Sequence, residues 1–86
     1  ELLDRHLGRL FEGLRAQGLY DDAIIVFTSD HGEELFEHAD WGHGRSLYRE
    51  VIHVPLLVRL PQARGAGTRI AAQARQTDLA PTLLAL

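Results

Sequence analysis

The 86 residues carry 12 Asp and Glu against 9 Lys and Arg, a net charge of −3, and so lack the basic stripe that nucleic-acid binding requires. Hydrophobic residues at 45% and charged ones at 24% are globular rather than disordered proportions, and no apolar run is long enough to span a bilayer. There is no Cys, which excludes a disulfide within the chain.

Glu1 stands first in place of Met, and no signal-peptide pattern follows it. Residues 1–17 read as helix with no capping Ser, Thr, Asp or Asn ahead of them. Leu83 to Leu86 end apolar without the Gly or Asn that often closes a helix. The expectation is a stretch of a longer domain, truncated at both ends. Leu3, Leu7, Leu10, Phe11 and Leu14 fall at helical spacing with charged residues between them, so one face of this first helix lies on a core. Gly8 and Gly13 weaken it, as glycines placed for close packing would, and Gly18 is placed to close it.

A turn over 19–22 leads to a buried strand at 23–28. The strand ends on Thr28-Ser29-Asp30-His31-Gly32-Glu33. Acid and imidazole at a strand's carboxyl end sit where open α/β sheets place their ligand crevices. Gly32 then allows a backbone turn that other residues resist. A carboxylate and an imidazole make half of a divalent-metal site. The same tripeptide also fits a strand followed by an ordinary turn capped by Asp30.

Residues 33–46 form a long polar loop with a helical turn at 33–37, and loops of such length are often functional. Within it, His43 lies between Gly42 and Gly44. It could bind an anion, protonate a leaving oxygen, ligate a metal, or stand as a solvated loop histidine. Glu33 and Glu34 are expected to cap or solvate the turn, and His38 to hold the loop by hydrogen bonds. His53 reads as a partly buried packing histidine in an apolar stretch. His6 reads as solvated on the first helix.

A short helical turn at 46–50 and a second strand at 55–60 follow, with Pro55 at the first strand position. Residues 61–68 are a surface loop and residues 69–76 a short strand. Asp78 caps a last helix that carries Pro81 in its first turn. The order helix–strand–loop–strand–strand–helix is that of one edge of an α/β/α layered domain.

Gly18-Leu19-Tyr20-Asp21-Asp22 leads into Ile25-Val26-Phe27-Thr28-Ser29-Asp30-His31-Gly32-Glu33. His43-Gly44-Arg45-Ser46-Leu47-Tyr48-Arg49-Glu50, Val54-Pro55-Leu56-Leu57-Val58 and Thr77-Asp78-Leu79-Ala80-Pro81-Thr82 follow. In this order and spacing they closely resemble the sulfatase branch of the alkaline phosphatase superfamily, nearly end to end. The resemblance implies that residues 1–86 are a late part of an α/β/α catalytic domain built on a mostly parallel central sheet. It also implies hydrolysis or transfer of sulfate or phosphate esters, and a periplasmic or secreted location.

By the same resemblance Asp30 and His31 bind a divalent metal, Ca²⁺ in a sulfatase and Zn²⁺ or Mn²⁺ in a phosphoryl-transfer enzyme. His43 takes a position where many sulfatases carry Lys and phosphoethanolamine transferases carry His. It contacts the transferred group and is the candidate catalytic acid. The substrate is then an anionic sulfate or phosphate ester, and the nucleophile and acidic metal ligands lie upstream, in the missing half of the catalytic domain. The alternatives are a phosphoesterase or phosphoethanolamine transferase, or a degenerate member that only binds. The isolated chain is expected to turn over nothing and to expose apolar surface. Family members often have Gly where this sequence has Phe36 and Ala39.

Overall fold

The helical spacing of Leu3, Leu7, Leu10, Phe11 and Leu14 is realised as helix α1 (Leu2–Ala16) in the computed structural model, which describes residues 1–86. Leu7, Phe11 and Leu14 are half-buried, while Leu3 and Leu10 remain exposed. Gly18 closes the helix at φ +68°, and the Leu19 N–H donates to Leu14 O at 2.9 Å. A Cβ at Gly8 or Gly13 would meet nothing within 4 Å, so neither glycine serves a close approach.

The first of two compact units joins residues 1–28 to residues 56–67. Strands β1 (Ile25–Thr28) and β4 (Leu56–Arg59) pair antiparallel, with Ile25 opposite Arg59 and Thr28 opposite Leu56. Both are shorter than the sequence reading. Two strands cover neither face of a sheet, so the expected buried strand is only half-buried at Ile25 and Val26 and is exposed at Phe27 and Thr28. Arg59 ties β4 to the turn after α1. Its Nη1 donates to Tyr20 O at 2.7 Å and Ala23 O at 3.3 Å, and its Nη2 donates to Asp21 Oδ1 at 3.2 Å. The Tyr20 ring meets Phe11 edge-on at 5.9 Å and has the Arg15 and Arg59 guanidinium carbons 4.0 and 4.1 Å from its centroid.

The second unit comprises residues 29–55 and 68–86. The helical turn expected at 33–37 is instead a hairpin. Its strands β2 (Glu34–Leu35) and β3 (Trp41–Gly42) pair Glu34 with Gly42 and Leu35 with Trp41. Phe36 and Ala39 turn the loop at φ 77° and 62°. These are the two positions where family members often have Gly; here Phe and Ala hold the left-handed conformation, at about 1–2 kcal/mol per residue. The turn expected at 46–50 forms later, as α2 (Arg49–Ile52).

No strand forms over residues 69–76; Ala71-Ala72-Gln73-Ala74 lacks the alternation that a pleated face needs. The last helix, α3 (Leu79–Leu84), carries Pro81 in its first turn as expected. Asp78 does not cap it through its side chain: Oδ2 accepts the Arg75 N–H at 3.1 Å. Both strand pairs are antiparallel, so this stretch holds helices and strands but no parallel sheet of its own. Val51, 5% exposed, is the one buried apolar residue, and apolar surface stands open on α1, β1 and β4 as the sequence implied.

Candidate functional site

The residues after β1 are fixed from both sides. Gln76 donates its amide Nε2 to Ser29 O at 2.6 Å and to Asp30 O at 2.7 Å. The Gly32 N–H donates to Val51 O at 2.7 Å. Gly32 does not take a left-handed φ, contrary to the turn expected of it. A Cβ there would sit 2.0 Å from Glu50 O and 3.0 Å from Glu50 C, so glycine is required by close approach to the α2 backbone.

Asp30 and His31 lie side by side, with Asp30 Oδ2 3.7 Å from His31 Nε2. The Asp30 carboxyl is held below the usual carboxylate range, first by the hydrogen bond from the His31 N–H to Oδ1 at 2.9 Å and then by the neighbouring imidazole. It therefore stays anionic into acid solution. His31 Nδ1 lies 2.8 Å from Gly32 O. A carbonyl only accepts, so Nδ1 donates to it, and whenever the ring is neutral its lone pair is on Nε2, the atom beside Asp30.

His43 comes to the same place. Its ring stacks on that of His31 with centroids 3.8 Å apart and an interplanar angle of 28°. Its Nδ1 lies 2.6 Å from Glu33 Oε1. One ligand atom each from His31, Glu33 and His43 falls within 4.8 Å of the others, so these side chains could hold a metal together. Glu33 was expected only to cap or solvate the turn. The geometry makes it the orienting partner of His43, and Asp30 stands beside that set rather than in it.

A separate cluster escaped the sequence reading. Glu34, expected at a solvated turn, is 3% exposed, and its Oε2 accepts from Ser46 Oγ at 3.0 Å. His38 Nδ1 lies 3.6 Å from Glu34 Oε1 and 2.6 Å from Glu50 Oε1. The His38 ring stacks on Tyr48 with centroids 3.6 Å apart and planes 10° apart. Glu34, His38, Arg45, Ser46 and Tyr48 border an open cleft of about 550 Å³. His53, expected to be partly buried, is exposed, as is His6. No helix is long and apolar enough to cross a membrane.

Compared with known proteins, residues 1–86 match the family model described as Sulfatase. An N-acetylglucosamine-6-O-sulfatase of Bacteroides thetaiotaomicron is 42% identical over 82 residues, covering 95% of this chain and 14% of that protein. Arylsulfatase K of Bos taurus is 36% identical over 81 residues, covering 94% of this chain and 15% of that protein. The multifunctional alkaline phosphatase superfamily protein PehA of Trinickia caryophylli is 37% identical over 83 residues, covering 95% of this chain and 16% of that protein. The chain thus spans about one-seventh of the length of such relatives. No solved structure matches it.

Proposed function

This chain belongs to the sulfatase family, and we propose that it is a late part of the catalytic domain of a metal-dependent hydrolase of sulfate esters. The family's fold is alkaline phosphatase-like α/β, and in our reading the antiparallel pairs described here adjoin a mostly parallel sheet supplied by the rest of the protein. The observation that carries the reading is the convergence of Asp30, His31, Glu33 and His43 after β1.

Asp30 and His31 are the proposed metal ligands. Their donor set fits a divalent ion: an anionic oxygen and an imidazole lone pair lie 3.7 Å apart, near the ~3.3–3.5 Å between ligands that share one ion at ordinary bond lengths. When bound, the ion neutralises the ester's anionic oxygens. Calcium is the proposed ion for a sulfatase. His43 sits against His31, where it can bind the sulfuryl oxygens and give a proton to the departing alcohol. Glu33 takes its Nδ1 and so turns Nε2 towards the ester. The nucleophile and remaining ligands belong to the rest of the protein, so the 86 residues alone turn over nothing.

One observation favours a second reading. The His31, Glu33 and His43 set is of the imidazole-rich kind that prefers zinc or manganese over calcium, which suits a phosphoesterase or phosphoethanolamine transferase of the same superfamily.

The test is turnover of aryl sulfates and aryl phosphates by the intact protein, before and after chelation and with each metal restored. Asp30→Ala abolishes metal-dependent turnover. His43→Ala lowers it by about 10²–10⁴-fold, most for alcohols that leave poorly. Full activity in Asp30→Ala would refute the assignment; phosphate turnover restored by zinc but not calcium would select the second reading.

A further inference from the structure

Glu34, His38 and Glu50 present a second group of metal-binding atoms, all within 4.8 Å of one another and sharing no residue with the Asp30–His43 site. The decisive feature is a buried carboxylate oxygen without a hydrogen bond, with only the His38 imidazole 3.6 Å away. Glu34 has only 4% of its side chain exposed, and its Oε1 is buried with no hydrogen bond. Glu50 Oε1 is buried in the same state. His38 lies close enough to it for an ion pair but is misaligned for a hydrogen bond. Burying a carboxylate oxygen without a donor is costly, and native structures seldom leave one so unless something else completes it.

We propose that Glu34, His38 and Glu50 bind a divalent cation of the zinc class, at a site distinct from the family's ester-binding metal. Two carboxylates neutralise a dication, and an imidazole beside them selects zinc, cobalt or manganese over calcium or magnesium. The distances are near those required. Ligand atoms on a tetrahedral zinc lie ~3.3 Å apart at ordinary bond lengths. Glu34 Oε1 is 3.6 Å from His38 Nδ1, while Glu50 Oε1, at 2.6 Å, must move away by under 1 Å.

The surroundings hold the ligands in place as a metal site's outer contacts do. Ser46 Oγ donates to the other oxygen of Glu34, and Tyr48 stacks flat on the His38 ring. Glu34 and His38 border the open cleft, from which a water could complete the ion's coordination. Glu34 lies on β2, His38 in the hairpin loop and Glu50 on α2, so a bound cation would cross-link hairpin and helix.

The test is calorimetric titration of Zn²⁺ into the chelator-stripped intact protein, in wild type, His38→Gln, Ser46→Ala and Asp30→Asn/His31→Gln forms, each checked for native circular dichroism. The expected result is one zinc equivalent that survives Asp30→Asn/His31→Gln and is lost in His38→Gln. Ser46→Ala should weaken that equivalent by about 10–100-fold without abolishing it. If His38→Gln fails to fold, Ser46→Ala alone decides, because it removes no ligand. No such equivalent, or one indifferent to both His38 and Ser46, would overturn the proposal and leave His38 as a structural bridge between two carboxylates. Loss of the other site's metal changes neither outcome, so this test and that of the ester site fail independently.

Discussion

Replacing Gly32 by Ala would put a methyl carbon 2.0 Å from the carbonyl oxygen of Glu50 and 3.4 Å from Val51 Cα. The atoms met are backbone, which cannot swing aside as a flexible side chain can. Either the 30–33 segment or α2 must shift, and overpacking of this kind costs about 1–3 kcal/mol. The shift also pulls apart the 2.7 Å bond from Gly32 N–H to Val51 O, worth about 0.5–1.5 kcal/mol more. The sum is a destabilisation of about 1.5–4.5 kcal/mol. Equilibrium denaturant unfolding of the intact protein measures it as a lower midpoint at unchanged slope. Gly8→Ala is the internal control: a Cβ there meets nothing within 4 Å, so inside α1 it should be neutral or add up to about 1 kcal/mol. Because Gly32 lies between His31 and Glu33, turnover should fall as well. If Gly32→Ala unfolds within about 0.5 kcal/mol of wild type, α2 does not press on this glycine as described.

Ala39→Gly should stabilise the protein by roughly 0.5–1 kcal/mol, since relief of a left-handed residue outweighs the added freedom of the unfolded chain; a lower midpoint would contradict the loop path. Phe36→Gly gains the same relief but loses the ring beside Trp41, 6.3 Å away between centroids, so its midpoint should lie below that of Ala39→Gly. Glu33→Gln keeps an acceptor for His43 but removes its charge, and turnover should drop by about tenfold, more for poor leaving groups; an equal loss on all esters would assign Glu33 a purely structural role. Arg59→Lys cannot reach Tyr20 O, Ala23 O and Asp21 Oδ1 together, so it should cost about 1–3 kcal/mol. An unchanged melt in Arg59→Lys would remove Arg59 as the tie between β4 and the turn.

What was legible in the sequence was local. The periodicity of Leu3 to Leu14, the glycine at position 18 and the strands read at 23–28 and 55–60 correspond to α1, its close and the shorter strands of the β1–β4 pair. Each depends on residues a few positions apart. The element types between 33 and 45 were not legible, because the chain there follows contacts that spacing does not encode, whereas the helical turn read at 46–50 forms a few residues later as α2. Phe36 and Ala39 adopt left-handed backbone that their side chains disfavour, so a hairpin stands where polar composition indicated a helical turn.

The site divides along the same line. Asp30, His31 and His43 were singled out by residue type and neighbouring glycines, and His43 does stack on His31. Their partners were not found, because a glutamate's role is set by what it faces. Glu33 and Glu34 are adjacent and chemically identical, yet the alternation of an extended chain sends them to different surroundings. Glu33 meets His43 at 2.6 Å with about half its side chain exposed, while Glu34 is buried beside His38 and Ser46. A one-residue slip of the β2–β3 register would exchange those surroundings. The hairpin's left-handed loop, which fixes that register, therefore decides which carboxylate serves the proposed ester site and which the proposed second cation.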